Sequence, residues 1–309
     1  MNNNNNSKHR ILIFGSSGWI GSKIIELIKT NQDKQYDNIC IFESKARIQN
    51  RESVERDIGI FKPDSIINCA GVTGRPNVDW CEDHQIETIR SNVIGTLTLI
   101  DVAYEKGIHV TNFGTGCIYN YDDDHKPFGN ETFKETDPVN YTGSFYSKTK
   151  AIVEDLTSSY KNLLMLRIRM PISGSIKEQR NFITKILNYE KVVNVPNSVS
   201  VLEDLLPISI DMTIKGIKGV FNMCNPGVVC HNEILELYKK EIDPSYTYQN
   251  FSLEEQAKIL KAGRCNNHLD VSKLLSLYPQ IPTIQDSLID IFRKIRHQQQ
   301  HQEIVNINE

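Results

Sequence analysis

Between residues 10 and 170, short apolar runs alternate with longer stretches whose apolar residues recur every three or four positions. The runs are "ILIF" at 11–14, "NICIF" at 38–42, "SIINCAG" at 65–71, "HVTNFGTG" at 109–116 and "LLMLRIRM" at 163–170. Each is rich in strand-forming residues and is followed by a segment of helical composition, so each predicts a strand. Strand followed by helix, five times over, predicts an α/β fold: a doubly wound parallel sheet with crossover helices on both faces.

After Pro171 the alternation gives way to longer loops and to helical stretches such as "HNEILELYKK", "SLEEQAKIL" and "IQDSLIDIFRKI". The expected division is a nucleotide-binding domain with the catalytic residues over 10–170 and a smaller, mainly substrate-binding lobe over 171–295. Residues 1–9, with the run Asn2 to Asn6, and residues 296–309, with "HQQQHQEIVNINE", are polar and biased, and are expected to stay outside the fold.

Composition narrows the partners. The 309 residues are 39% hydrophobic and 24% charged, with a formal net charge of -3, which gives no footprint for nucleic acid or an anionic membrane. No apolar run is long enough to span a bilayer, and "MNNNNNSKHR" lacks the apolar heart of a signal peptide, so a cytoplasmic protein is expected. Seven cysteines without a C-x-x-C pair point to neither a disulfide framework nor a metal site.

Candidate chemistry starts at "ILIFGSSGWIG", where Gly15, Gly18 and Gly21 open a helix directly after a strand. Backbone N–H groups and the positive helix end there suit a pyrophosphate. Glu43 follows the second run at the place where a carboxylate can hold a ribose 2′-hydroxyl, while Lys45 and Arg47 just behind it can accept a 2′-phosphate. NADPH and NADH both stay open on these residues alone.

In "FYSKTKAIVEDL", Tyr146 and Lys150 lie four apart and share a helix face. An ammonium beside a phenol favours the phenolate and makes the tyrosine a proton donor and acceptor near neutrality. Thr115 and Cys117 lie two apart at a strand end; if strand geometry persists, a hydroxyl and a thiol of ordinary pKa about 8.5 point the same way. The alternative for Cys117 is an inert, buried strand cysteine. Asn92 in "SNVIGT" reads as a helix-packing or capping residue, and His231 has no motif partner.

The ordered set of G-x-x-G-x-x-G, "NCAG", Thr115 and the Tyr146/Lys150 pair resembles the extended short-chain dehydrogenase/reductase family, across residues 10 to 294. Closer still, "NCAGVTGRPNVDWCEDH", "GTGCIY", "YTGSFYSKTKA", "RMPIS", "RNFITKI", "VVNVPNS", "DLLPISI" and "NPGVVCHNEILE" resemble the bifunctional 3,5-epimerase/4-reductases of nucleotide-rhamnose synthesis, stand-alone or C-terminal modules of plant rhamnose synthases. That resemblance implies a Rossmann-type fold and conversion of UDP-4-keto-6-deoxyglucose, or its dTDP form, to the nucleotide-linked L-rhamnose with NADPH, NADH being a second candidate. It further implies that Thr115, Cys117, Tyr146, Lys150 and Lys185 are catalytic. Gly15, Ser17, Gly18, Trp19, Ile20, Gly21, Arg47, Asn68, Ala70, Gly71, Tyr146, Lys150 and Pro171 would hold the cofactor. Thr73, Arg75, Arg180 and Asn181 would contact substrate. With no dehydratase module before residue 10, the keto-sugar is expected from a separate 4,6-dehydratase. Two other functions stay open, a 4-keto-sugar reductase only and a non-catalytic cofactor-binding regulatory subunit; so does oligomeric state, a homodimer being one form.

Overall fold

The computed structural model describes residues 8–30 and 34–307, with side chains to residue 300. In chain order the strands are β1 (His9–Phe14), β2 (Ile39–Glu43), β3 (Ser65–Asn68), β4 (His109–Thr115), β5 (Leu163–Ile168), β6 (Lys191–Val192), β7 (Gly219–Asn222) and β8 (Gln249–Asn250). The helices are α1 (Trp19–Thr30), α2 (Arg51–Phe61), α3 (Trp80–Asp83), α4 (Gln85–Thr88), α5 (Gly95–Glu105), α6 (Phe145–Thr157), α7 (Phe182–Leu187), α8 (Leu202–Ile214), α9 (His231–Glu241), α10 (Leu253–Ile259), α11 (Ser272–Leu277) and α12 (Ile284–Ile307). A π-helical turn, Ile89–Ile94, runs between α4 and α5.

The chain divides into two units, and the division is discontinuous: one takes residues up to 118, 141–167 and 206–221, the other 119–140, 168–205 and 222 onward. A single boundary near residue 170 is therefore replaced by five chain crossings. The reason lies in strand order. The first unit's sheet runs β2-β1-β3-β4-β5-β7, so its last strand is supplied only after the chain has contributed 168–205 elsewhere.

Within the first unit, β1 pairs in parallel with β2 and β3, and β3 with β4. This is the Rossmann-type, doubly wound α/β arrangement that the alternation predicts. Leu12 and Phe14 pack with Val54 and Ile58 of α2 and with Leu99 and Ile100 of α5, whereas Ile11 and Ile13, one step out of phase, face the other side. All four strand residues are fully buried, which is why the run has no polar alternation. On α1, Gly21, Ile24, Ile25 and Ile28 form the buried stripe that makes this segment a helix against the sheet.

In the second unit, Ile183 and Ile186 of α7, Ile234 and Leu235 of α9, and Ile284, Leu288 and Phe292 of α12 share one apolar core. The short strands β6 and β8 pair in parallel there. Helix α12 corrects the expected C-terminal tail: it continues from Ile284 through Ile307. Its apolar stripe nucleates the helix, and the Gln-rich stretch beyond contains no Gly or Pro to stop it. At the other end, His9 already belongs to β1, donating its N–H to Asn38 O at 2.7 Å, while Asn2 to Asn6 lie outside the described residues.

Candidate active site

The glycine run forms a tight turn between β1 and α1. Gly18 N–H donates to Gly15 O at 3.0 Å. Gly15 has φ +75°, and a Cβ there would stand 2.5 Å from Ala70 N; a Cβ on Gly21 would stand 2.4 Å from Gly15 O. Only glycine fits either position, because backbone meets backbone. Ser17 and Gly18 complete the turn, and Trp19 and Ile20 begin α1. Beside the turn, a cavity of about 270 Å³ is lined by Gly15, Ser17, Lys45, Arg47, Ala70 and Gly71, among others. Glu43 ends β2, and Lys29 (3.2 Å) and Lys45 (3.8 Å) pair with it, the Lys29 contact holding its carboxyl below the ordinary range.

Asn68 and Asn92 shape the opposite wall. Asn68 is buried, donates to Asn112 Oδ1 at 2.7 Å and accepts from Ala70 N, so its amide anchors the β3 end. Asn92 lies in the π turn, where its Oδ1 accepts from Val72 N at 2.7 Å and its Nδ2 donates to Val72 O at 2.9 Å. More than a packing or capping residue, it clasps the backbone just past Gly71. A Cβ on Gly71 would stand 3.3 Å from Asn92 Oδ1 and 3.5 Å from Lys150 Nζ, which brings strand end, π turn and Lys150 together. The only sequence signal for Asn92 was a polar side chain amid "SNVIGTLTLI".

Helix α6 is capped by Ser144, whose Oγ accepts from Ser147 N, and it presents Tyr146 and Lys150 one turn apart. Tyr146 is buried. Burial pulls the Lys150 ammonium down to about 8, with the Glu154 carboxylate opposing it. Thr115 closes β4, but the strand stops there and Cys117 sits in the following turn. The expectation that both side chains extend from one strand face is thus corrected: Cys117 N–H instead donates to Thr115 Oγ1 at 3.1 Å, a side-chain turn that replaces the ladder.

Thr73 and Arg75 are exposed in the loop after β3. The remaining sites belong to the second unit. Phe182 N–H donates to Pro171 O at 3.1 Å, and Arg180 precedes α7. Burial, then Arg180 and Arg264, hold the Lys185 ammonium below its ordinary value. Asn181 is given a different job from substrate contact. Fully buried, it caps α7 by accepting from Ile183 N and donates both amide hydrogens, to Ser173 O and Ser175 O. His231 starts α9 against Phe182, ring centroids 5.1 Å apart, and is held neutral by burial and by Arg169, down to about 4.

The model of the NAD dependent epimerase/dehydratase family matches residues 11–172. The chain belongs to that family. A bifunctional dTDP-4-dehydrorhamnose 3,5-epimerase/dTDP-4-dehydrorhamnose reductase of Arabidopsis thaliana is 51% identical over 288 residues, covering 93% of this chain and 94% of the relative. A trifunctional UDP-glucose 4,6-dehydratase/UDP-4-keto-6-deoxy-D-glucose 3,5-epimerase/UDP-4-keto-L-rhamnose-reductase of the same plant is 53% identical over 91% of this chain, which spans 41% of that protein. Among solved structures, the UDP-rhamnose synthase of Acanthamoeba polyphaga mimivirus matches with a TM-score of 0.86 and 36% identity, over 93% of this chain and 99% of that one. The cofactor of the family is a nicotinamide dinucleotide, and the first unit fits one: a turn closed to a Cβ at Gly15 and Gly21, a helix start and a cavity bordered by Lys45 and Arg47. Among the described residues no helix is long and apolar enough to cross a membrane.

Proposed function

We propose that this chain inverts C3 and C5 of UDP-4-keto-6-deoxy-D-glucose, or of its dTDP form, and then reduces the C4 ketone to give the nucleotide-linked L-rhamnose. Near-complete coverage of a 3,5-epimerase/reductase relative at 51% identity carries the reading. The C4 ketone acidifies the hydrogens at C3 and C5. Cys117 and Lys185 are the two acid/base groups: at each carbon one takes the proton from one face and the other returns a proton to the opposite face, which inverts the centre and leaves the oxidation state unchanged. Thr115 and Tyr146 hold the C4 oxygen, steadying first the enolate and then the ketone. NADPH, when bound, supplies the hydride for C4. Tyr146 gives its phenolic proton to the C4 oxygen, and the Lys150 ammonium supports that transfer.

NADPH is the preferred form in this reading, since Glu43 is neutralised by Lys29 and Lys45 while Arg47 borders the cavity and can meet a 2′-phosphate. Thr73, Arg75 and Arg180 are assigned to the nucleotide sugar. The substrate's chemistry requires a 4,6-dehydratase to supply it. The test is incubation with UDP-4-keto-6-deoxyglucose and NADPH in heavy water, with the product identified by NMR. L-Rhamnose carrying deuterium at C3 and C5 is expected. A reduced sugar without label at either carbon would leave a reductase only, and no turnover would leave a binding protein.

A further inference from the structure

Tyr146, Lys150 and Glu154 recur every fourth residue along α6, which stacks the three side chains on one face. Glu154 belongs to neither the phosphate turn nor the set assigned to substrate. It meets Arg167 of β5, which donates to Glu154 Oε1 through Nε at 2.9 Å and again through Nη2. The side chains are 3% and 13% exposed for Arg167 and Glu154, so this is a largely desolvated ion pair. Such a pair is poor ground for stability, since apolar side chains of similar volume commonly do as well. Its place one helical turn from Lys150, on the same face of α6, points to a use for the charge.

The other charges around α6 are placed differently. From α3, Glu82 accepts from Phe145 N at 2.7 Å at the start of α6, and α4 carries Glu87 and the π turn Arg90. Asp101 of α5 is engaged by Arg51 and Tyr160, and β4 holds its titratable residue, His109, at the end far from Thr115. Lys161 and Lys218 border a cavity of about 270 Å³ beside Glu154. Of these groups, Glu154 is the one whose field opposes the burial of the Lys150 ammonium.

We propose that Glu154, clamped by Arg167, is a positioning residue for proton transfer: its carboxylate keeps Lys150 in the ammonium form that Tyr146 needs at neutral pH. The inference rests on Tyr146 and Lys150 being the proton-transfer pair. Arg167 fixes the carboxylate's direction, and the α6 repeat fixes its distance along the helix.

The experiment reads Lys150 directly. Acetic anhydride labels only the neutral amine, so the fraction of Lys150 acetylated across pH, quantified by peptide mass spectrometry on the cofactor-free chain, gives its titration midpoint. The parent midpoint is expected at about 8. Glu154→Gln should lower it by about one pH unit, as loss of a nearby opposite charge does, and Glu154→Asp should restore it. Because a lone buried Arg167 can unfold the single variant, the double variant Glu154→Gln/Arg167→Gln provides a neutral, hydrogen-bonded pair, with a downward shift expected that is smaller because the Arg167 charge leaves with the carboxylate. The alkaline limb of the kcat profile for ketone reduction should move with the midpoint. A purely structural Glu154 would lower the melting temperature and leave the Lys150 midpoint in place, which overturns the proposal. A shifted midpoint with an unshifted kcat limb would confirm the charge coupling and remove the Tyr146/Lys150 pair from the rate-determining chemistry.

Discussion

Replacing Tyr146 by Phe keeps a buried ring in place and deletes only the hydroxyl. Reduction is expected to fall by about 10²–10⁴-fold, the usual worth of a positioned acid, while NADPH binding by fluorescence titration stays at the parent value. Turnover near the parent rate would assign the proton to another group. Cys117→Ser exchanges a thiol for a hydroxyl of far higher pKa, so deuterium uptake at C3 and C5 should collapse while some reduction of unepimerised ketone persists. Normal double labelling would remove Cys117 from the chemistry. For the cofactor, Arg47→Ala should raise KM for NADPH roughly tenfold or more and leave NADH unchanged, since one charge-assisted contact is lost. An equal effect on both cofactors would place Arg47 away from the 2′-phosphate. The Tyr146/Lys150 geometry was legible in the sequence because one helix fixes it. The setting of Cys117 was not, because whether β4 continues past Thr115 depends on a side-chain hydrogen bond rather than on any apolar pattern.

At the scale of elements, the π turn does work that helix periodicity hides. It rotates Asn92 out of the regular α register so that one side chain satisfies both backbone groups of Val72. Asn92→Ala should cost about 1–3 kcal/mol in urea unfolding, with the slope unchanged, because two inward backbone groups lose their partner. Activity should fall with it, as Gly71 abuts both Asn92 and Lys150. Full stability would mean that the loop after β3 holds itself. Strands β1 to β5 and helix α6 could be read from apolar runs and from four-residue spacing, since burial on both faces leaves that trace. Asn181 and α12 could not. A capping asparagine and a substrate-contacting asparagine are the same letter, and a Gln-rich extension reads as polar tail until an adjoining apolar stripe starts the helix.

For the whole molecule, partly buried histidines contribute to the response to acid, His109 and His231 most strongly. His109 and His231 both fall from the ordinary 6.5 to about 4, burial being the largest cause for each. A histidine whose folded pKa is depressed is neutral in the fold while the unfolded chain takes up a proton, so stability is present above pH 6.5 and is lost as the pH falls toward 4. Melting temperature should therefore drop between pH 6.5 and 4, and His109→Gln should flatten the drop. An unchanged slope would mean that His109 reaches solvent in the fold. Whole-molecule organisation was the least legible level, because sequence order gives no sign that the sheet takes its sixth strand from residues beyond 205. That late strand has a consequence during synthesis. Once Ile118 has left the ribosome, β7 is still about 100 residues away, roughly 5–20 s at ordinary elongation rates. Throughout that interval the nascent sheet lacks β7, which later lies beside β5, and lacks Thr213, whose hydroxyl later bonds Thr111 at 2.7 Å. Until β7 arrives, β4 and then β5 form an edge that is interior in the finished sheet and open to pairing with another chain, so folding yield is expected to depend on translation speed and chaperone supply, two variables that do not change the finished fold.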